Sequence, residues 1–226
     1  MKHGKVSLKG RADRARIPCC GCQSYRQTRG GTLARRPHKK RIAILGWGSL
    51  LWEGGRDFDR QHGRWFSTGP TLRIEFTRVS ASRLGALTLV IDPAHGTPMT
   101  VAWCLSQRAD VKATASDLRT RESTTMANIA RLELPNAAPV DGPLAAIATW
   151  ARRKRLDAVV WTALPSNFSE VVGVGFSVDA VLAYIKNLPP AGKAKAAEYV
   201  WRAPAFVRTP LRAALEQEPW FVTPAG

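Results

Sequence analysis

The sequence predicts an α+β fold, with an antiparallel or mixed sheet curled into a β-barrel and helices packed outside it. Three observations carry this reading. Short β-branched or period-two apolar runs fill residues 42–162, helical spacing fills the C-terminal third, and no regular strand–helix–strand alternation links the two. At 226 residues with 45% apolar side chains, the chain can bury a sizeable core.

The elements follow in order. Arg41-Ile42-Ala43-Ile44-Leu45 is a β-branched apolar run that predicts a buried strand. Gly46-Trp47-Gly48-Ser49-Leu50-Leu51-Trp52 is a Gly-rich turn, and residues 53–70 are polar and mostly loop. Leu72 to Val79 alternates apolar and polar residues, as a half-buried strand does. Leu84 to Ile91 and Met99 to Leu105 read as two strands of a hairpin around the turn-rich Asp92-Pro93-Ala94-His95-Gly96-Thr97-Pro98. Asp110 to Arg121 is the first helix, with Val111, Ala115 and Leu118 spaced by four and three. Met126 to Leu134, Leu144 to Ala151 and Ala158 to Trp161 read as strands. Three helices close the chain: one from Ser177 to the Pro189-Pro190 pair, one from Ala191 to Trp201, and one from Pro210 to Gln217.

Charge divides the chain into two parts. Residues 1–41 hold 13 Lys and Arg and one acid, Asp13, a net +12, whereas residues 42–226 hold 21 basic and 16 acidic side chains, +5. Residues 1–40 have few large apolar side chains and no periodicity, so their composition predicts a disordered basic tail. Residues 41–226 form the domain. The tail reads as a solvated extension, as a transit peptide, or as a set of phosphate contacts for nucleic acid. The modest charge of the domain argues against nucleic acid as its partner. Cys19, Cys20 and Cys22 lack the second ligand pair of a structural zinc site, so no metal is expected there. Cys104 sits alone in an apolar stretch and is expected in the core. No apolar run approaches the ~18–20 residues of a membrane helix, and the N-terminus has no apolar signal region. The expectation is a cytoplasmic protein with no membrane partner.

Three groups of residues could carry chemistry. Gly46 and Gly48, two apart after a strand, allow the backbone to approach a ligand closely. Their neighbouring amides and the Ser49 hydroxyl could bind an anion; the bland alternative is a tight turn that only Gly fits. On the first view a side chain at Gly48 would fill the ligand's space. Leu51 stands where a dinucleotide-binding turn has its third glycine, and no strand–helix–strand alternation follows, which argues against that reading. Glu122 falls at a helix C-terminus, where an acid opposes the macrodipole. It is either a proton acceptor or the partner of Arg119 or Arg121. Among Arg73, Arg78 and Arg83, period two turns Arg73 away and leaves Arg78 and Arg83 to converge on an anion. His62 and His95 have no partner spacing, and Asn167 reads as a capping or turn residue.

The first two groups together resemble the γ-glutamylcyclotransferase superfamily, closest to its ChaC-like branch. The opening motif Gly-Tyr-Gly-Ser-Leu, then an apolar residue and Trp, is matched by Gly46-Trp47-Gly48-Ser49-Leu50-Leu51-Trp52. The Arg-Glu pair after a helix is matched by Arg121-Glu122. Arg78, Ser80, Arg83 and Gly85 before Leu87-Thr88-Leu89-Val90 fit the intervening strand. The likeness covers roughly residues 42–134. Trp47 replaces the family's Tyr, and Ser123-Thr124-Thr125-Met126 replaces the family's Gly-Gly-Tyr.

The resemblance implies a mixed barrel of five to seven strands and release of 5-oxoproline from a γ-glutamyl compound. The substrate's own α-amine attacks its γ-carbonyl, so no cofactor or metal is required. Glu122 would be the general base, and Gly46, Trp47, Gly48, Ser49, Leu50 and Arg83 would bind the substrate. A catalytically degenerate binding homologue is the alternative. The leaving group is Cys-Gly, an amino acid or another amine.

Overall fold

The computed structural model describes residues 39–134 and 141–222. The chain separates into two units, Met1–Pro37 and His38–Gly226. The described residues all belong to the second unit, so nearly all of the predicted tail, with Cys19, Cys20 and Cys22, lies outside them.

The fold is α+β. Among the described residues seven strands run as β1 (Ile42–Gly46), β2 (Thr71–Val79), β3 (Leu87–Ile91), β4 (Thr97–Thr100), β5 (Ala102–Leu105), β6 (Ile129–Glu133) and β7 (Ala158–Thr162). The described residues also form seven helices: α1 (Arg56–Asp59), α2 (Val111–Arg121), α3 (Gly142–Arg153), α4 (Phe168–Val172), α5 (Val178–Asn187), α6 (Pro190–Arg202) and α7 (Pro210–Glu216). The paired strands form two sheets, β5-β1-β7-β6 and β3-β2-β4, so the described strands do not form the expected closed barrel. In the first sheet β1 runs parallel to β7 and antiparallel to β5. Only Val101 separates β4 from β5, and these two short strands carry the chain from one sheet into the other.

The apolar pattern of β1 explains its central place. All five of its residues are buried, because both faces of the sheet are covered. Ile42 and Ile44 pack with Val160, Cys104 and the α2 residues Val111, Ala115 and Leu118. Ala43 and Leu45 face the opposite way, into a larger core with Ile74, Phe76, Leu87, Ile147 and Val200. Each large aliphatic side chain fully buried here contributes roughly 1.5–3 kcal/mol. Cys104 lies in the core as expected, and burial pushes its thiol pKa up.

Three local expectations are corrected. Leu144–Ala151 is not a strand but the middle of α3, with Ile147, Ala148, Trp150 and Ala151 buried at helical spacing. The strands flanking Asp92–Pro98 do not pair with each other, because β2 lies between β3 and β4. Strand ranges are also corrected: residues 84–86 belong to a turn, Met99–Leu105 is split at Val101 between β4 and β5, and in the Met126–Leu134 run Met126–Asn128 is a 3₁₀ turn leading into β6. Asn167 is structural. Its Oδ1 accepts from the Val79 amide (2.7 Å) and its Nδ2 donates to the Val79 carbonyl (3.2 Å), replacing a strand partner at the end of β2.

One buried carboxyl lies outside the candidate site. Glu75 on β2 is almost fully buried, and its Oε1 accepts the Phe76 amide at 2.8 Å. Burial pushes its pKa up to about 7; the Phe76 amide and Thr209 oppose this, Asp92 adds to it, and His95 opposes it.

Candidate active site

A cavity of about 320 Å³ opens where the end of β1, the end of α2, the β2–β3 connection and α6 meet. Leu45 to Leu50 form one wall. After Gly46 the chain turns through Gly48 into a 3₁₀ turn, Ser49–Leu51, closed by Leu51 N–H to Gly48 C=O (3.0 Å) and Glu53 N–H to Ser49 C=O (2.8 Å). Trp47 points into the core, and its Nε1 donates to the Leu89 carbonyl at 3.2 Å.

Both glycines are bare for a reason other than the expected one. A Cβ on Gly46 would meet the Trp65 ring at 3.0 Å and Leu51 Cδ2 at 3.1 Å, and a Cβ on Gly48 would meet the Tyr199 hydroxyl at 2.6 Å. The space a side chain would take is filled from within the protein, not reserved for a ligand.

Glu122 reaches the cavity through the way α2 ends. Asp110 caps the other end, its Oδ1 accepting the Ala113 amide at 2.8 Å. At the C-terminus Ser123 N–H donates to Thr120 C=O and Thr124 N–H to Arg119 C=O, each at 3.2 Å. This is the Schellman pattern, with Ser123 at φ +47° in the place glycine usually takes. The reversal leaves Glu122 lining the cavity with its Oε1 buried and without a hydrogen-bond partner. Burial raises its pKa above the ordinary carboxylate value. Arg121 opposes the rise, Glu53 adds to it and Arg83 opposes it.

Among the described residues Glu122 forms no ion pair with Arg119 or Arg121. Arg119 donates to Thr120 Oγ1 (3.1 Å) on the surface. Arg121 Nη2 donates to the carbonyls of Ser49 and Glu53, so this guanidinium pins the Gly-rich turn to the end of α2. Its Nε is a second buried polar atom without a partner.

Arg78 and Arg83 both line the cavity, while Arg73 is exposed and takes no part in it. Arg83 is already engaged. Its Nη2 donates to both Glu53 carboxylate oxygens at 2.7 and 2.9 Å, and its guanidinium lies 5.0 Å from the Tyr199 ring centre. Arg78 Nη1 donates to the Pro165 carbonyl (2.8 Å), and no carboxylate among the described residues pairs with it. The cavity therefore gathers Gly46, Trp47, Gly48, Ser49, Leu50, Arg83 and Glu122, the residues that the resemblance assigns to catalysis and substrate binding, together with Arg78, Ser80 and Arg121 from the same motifs. It adds Glu53, Ser82 and Tyr199. Tyr199 gave no signal in the sequence, since a lone Tyr in an amphipathic helix reads as core.

His62 and His95 stay apart from the cavity, and among the described residues no group of three or more His, Cys, Asp or Glu is placed to hold a metal ion. No helix among them is long and apolar enough to cross a membrane. A scan against protein-family models returns no match, and no curated protein matches the chain.

Proposed function

We propose that this cavity is the active site of a γ-glutamylcyclotransferase-like enzyme that releases 5-oxoproline from a γ-glutamyl compound in the cytoplasm. The observation that carries the reading is the Glu122 carboxylate. It is a buried acceptor without a partner, in one cavity with the Gly46–Leu50 turn. A carboxylate whose pKa is raised by burial is a stronger proton acceptor than a solvated one.

In the proposed reaction Glu122 takes a proton from the substrate's α-ammonium. The freed amine attacks the γ-carbonyl carbon, forming the ring C–N bond and placing negative charge on the γ-oxygen. Collapse of the tetrahedral species breaks the original γ C–N bond; the departing nitrogen takes the first proton back from Glu122 and the second from the ring nitrogen, so the amine leaves as an ammonium and the lactam keeps one N–H. Atoms and charge balance without a cofactor. The chain supplies a base, donors and a confined conformer that brings amine and carbonyl together. Arg78, which pairs with no carboxylate among the described residues, lines the cavity as a cation for a substrate anion. The barrel of the resembled family is part of the same proposal, with the β4–β5 segment as the seam that curls the two sheets into one wall.

The test is mass-spectrometric detection of 5-oxoproline from a panel of γ-glutamyl compounds. Glu122→Gln keeps the shape but cannot accept the proton, so release should fall by ~10²–10⁴-fold while binding is retained. Release at the parent rate would place the base elsewhere. A second reading, a degenerate binding homologue, rests on Trp47, whose indole N–H is spent on Leu89 and offers the ligand nothing. A parent chain that binds γ-glutamyl compounds but releases no 5-oxoproline selects that reading.

A further inference from the structure

Among the described residues, the hydroxyl of Tyr199 has no acceptor for its proton. Tyr199 sits near the end of α6 and is almost fully buried. Its ring is fixed edge-on against Trp52 (5.2 Å between centres) and Phe76 (6.2 Å), with the Arg83 guanidinium against it. The phenol oxygen accepts the Leu89 amide at 3.4 Å, and the Ser49 amide faces it as well. A phenol has two acceptor positions and one O–H. With the Leu89 amide on one acceptor position, the O–H is free to turn into the cavity that Tyr199 lines. Among the described residues no acceptor takes that proton. The contrast is Tyr184, whose hydroxyl donates to the Gly85 carbonyl at 2.9 Å.

We propose that Tyr199 is a catalytic residue whose O–H donates to the γ-oxygen of the substrate as it becomes the oxyanion. The assignment rests on the cyclotransferase reading above. Tyr199 and Glu122 line the same cavity, and the Glu122 charge adds to the rise of the Tyr199 pKa. The amine that Glu122 deprotonates must bond to the γ-carbon, so the γ-oxygen lies within a bond or two of the base's reach. The Leu89 amide, donating into the phenol oxygen, polarises its O–H and makes it a better donor. Burial pushes the Tyr199 pKa up to about 12, which keeps the proton in place at any working pH. The family's Tyr is replaced by Trp47, and in this chain the phenol reaches the Gly-rich turn from α6 instead.

The experiment uses the full chain and the γ-glutamyl compound it turns over best. Tyr199→Phe should lower kcat by ~10²–10³-fold, the loss typical of removing one oxyanion donor, with KM unchanged. A raised KM with unchanged kcat would make Tyr199 a ground-state binder and overturn the assignment. So would parent kcat in a folded variant. Fluorotyrosines placed at position 199 keep the ring and hydroxyl, which covers the case of a Phe variant that fails to fold. With them the alkaline limb of the pH–rate profile should move to lower pH as the phenol becomes more acidic; a limb that does not move refutes the donor role. A parent chain that releases no 5-oxoproline overturns both the reaction and the assignment. An active parent with an indifferent Tyr199 overturns the assignment alone.

Discussion

Gly48→Ala should destabilise the protein through Tyr199, and the size of the effect follows from the distances. The new Cβ would stand 2.6 Å from the Tyr199 hydroxyl oxygen. Side-chain carbons do not approach that closely, so the phenol or the turn must move by roughly half an ångström or more. Overpacking of this kind costs about 1–3 kcal/mol. Displacing the hydroxyl also strains its contact with the Leu89 amide, worth about 1 kcal/mol. Gly48 lies at φ −117° and ψ −147°, outside the β region, so no gain from a stiffer unfolded chain offsets this. The net expectation is a loss of about 2–4 kcal/mol. In the Tyr199→Phe background the oxygen is gone, and the next atom, Tyr199 Cζ, lies at 3.7 Å, an ordinary contact. There this cost of Gly48→Ala should almost vanish. Urea unfolding of the parent, both single variants and the double variant measures the coupling. It should be about 2–4 kcal/mol, well beyond the ~0.3–0.5 kcal/mol scatter of independent sites. Equal costs of Gly48→Ala in the two backgrounds would refute the reasoning.

Two further outcomes can be checked on stability alone. The pKa of Glu75 is raised to about 7 in the folded chain against 4.5 unfolded, so the folded state holds the proton longer, and stability should fall by about 3 kcal/mol between those pH values. Glu75→Gln should flatten that part of a Tm-against-pH curve; an unchanged slope would exonerate Glu75. Ser123 occupies a left-handed position at the end of α2, so Ser123→Gly should raise unfolding free energy by about 1 kcal/mol. A lower Tm in that variant would count against the strain.

What could be read in the sequence depended on whether the signal was local. The strand at Ile42–Gly46 and the helix that follows Asp110 were legible, because apolar runs and periodicity lie along the chain; the pairing of the Gly-rich turn with Glu122 came from the family resemblance. Leu144–Ala151 was misread because an Ala-rich apolar run fits either period. The better guide was Asp141-Gly142-Pro143, an N-cap residue and then Pro in the first turn. The hairpin around Asp92–Pro98 failed because β2 enters between its arms, and no local pattern records a neighbour from earlier in the chain. Arg121 was read as a partner for Glu122, yet it holds carbonyls about 70 residues away. Tyr199 went unseen for the same reason: its hydroxyl matters only because the fold delivers Ser49 and Leu89 to it.

The central position of β1 has a consequence during synthesis. Its five buried residues emerge from the ribosome long before either of its neighbours. β5 begins at Ala102 and β7 at Ala158. At ~5–20 residues per second, the first edge of β1 waits roughly 3–11 s for β5, and the second waits about as long again for β7. The second edge then closes through a parallel pairing, which loop-closure entropy makes slow. Over that interval an apolar strand with unpaired backbone groups is open to other nascent chains. In the finished protein both edges of the same strand are sealed.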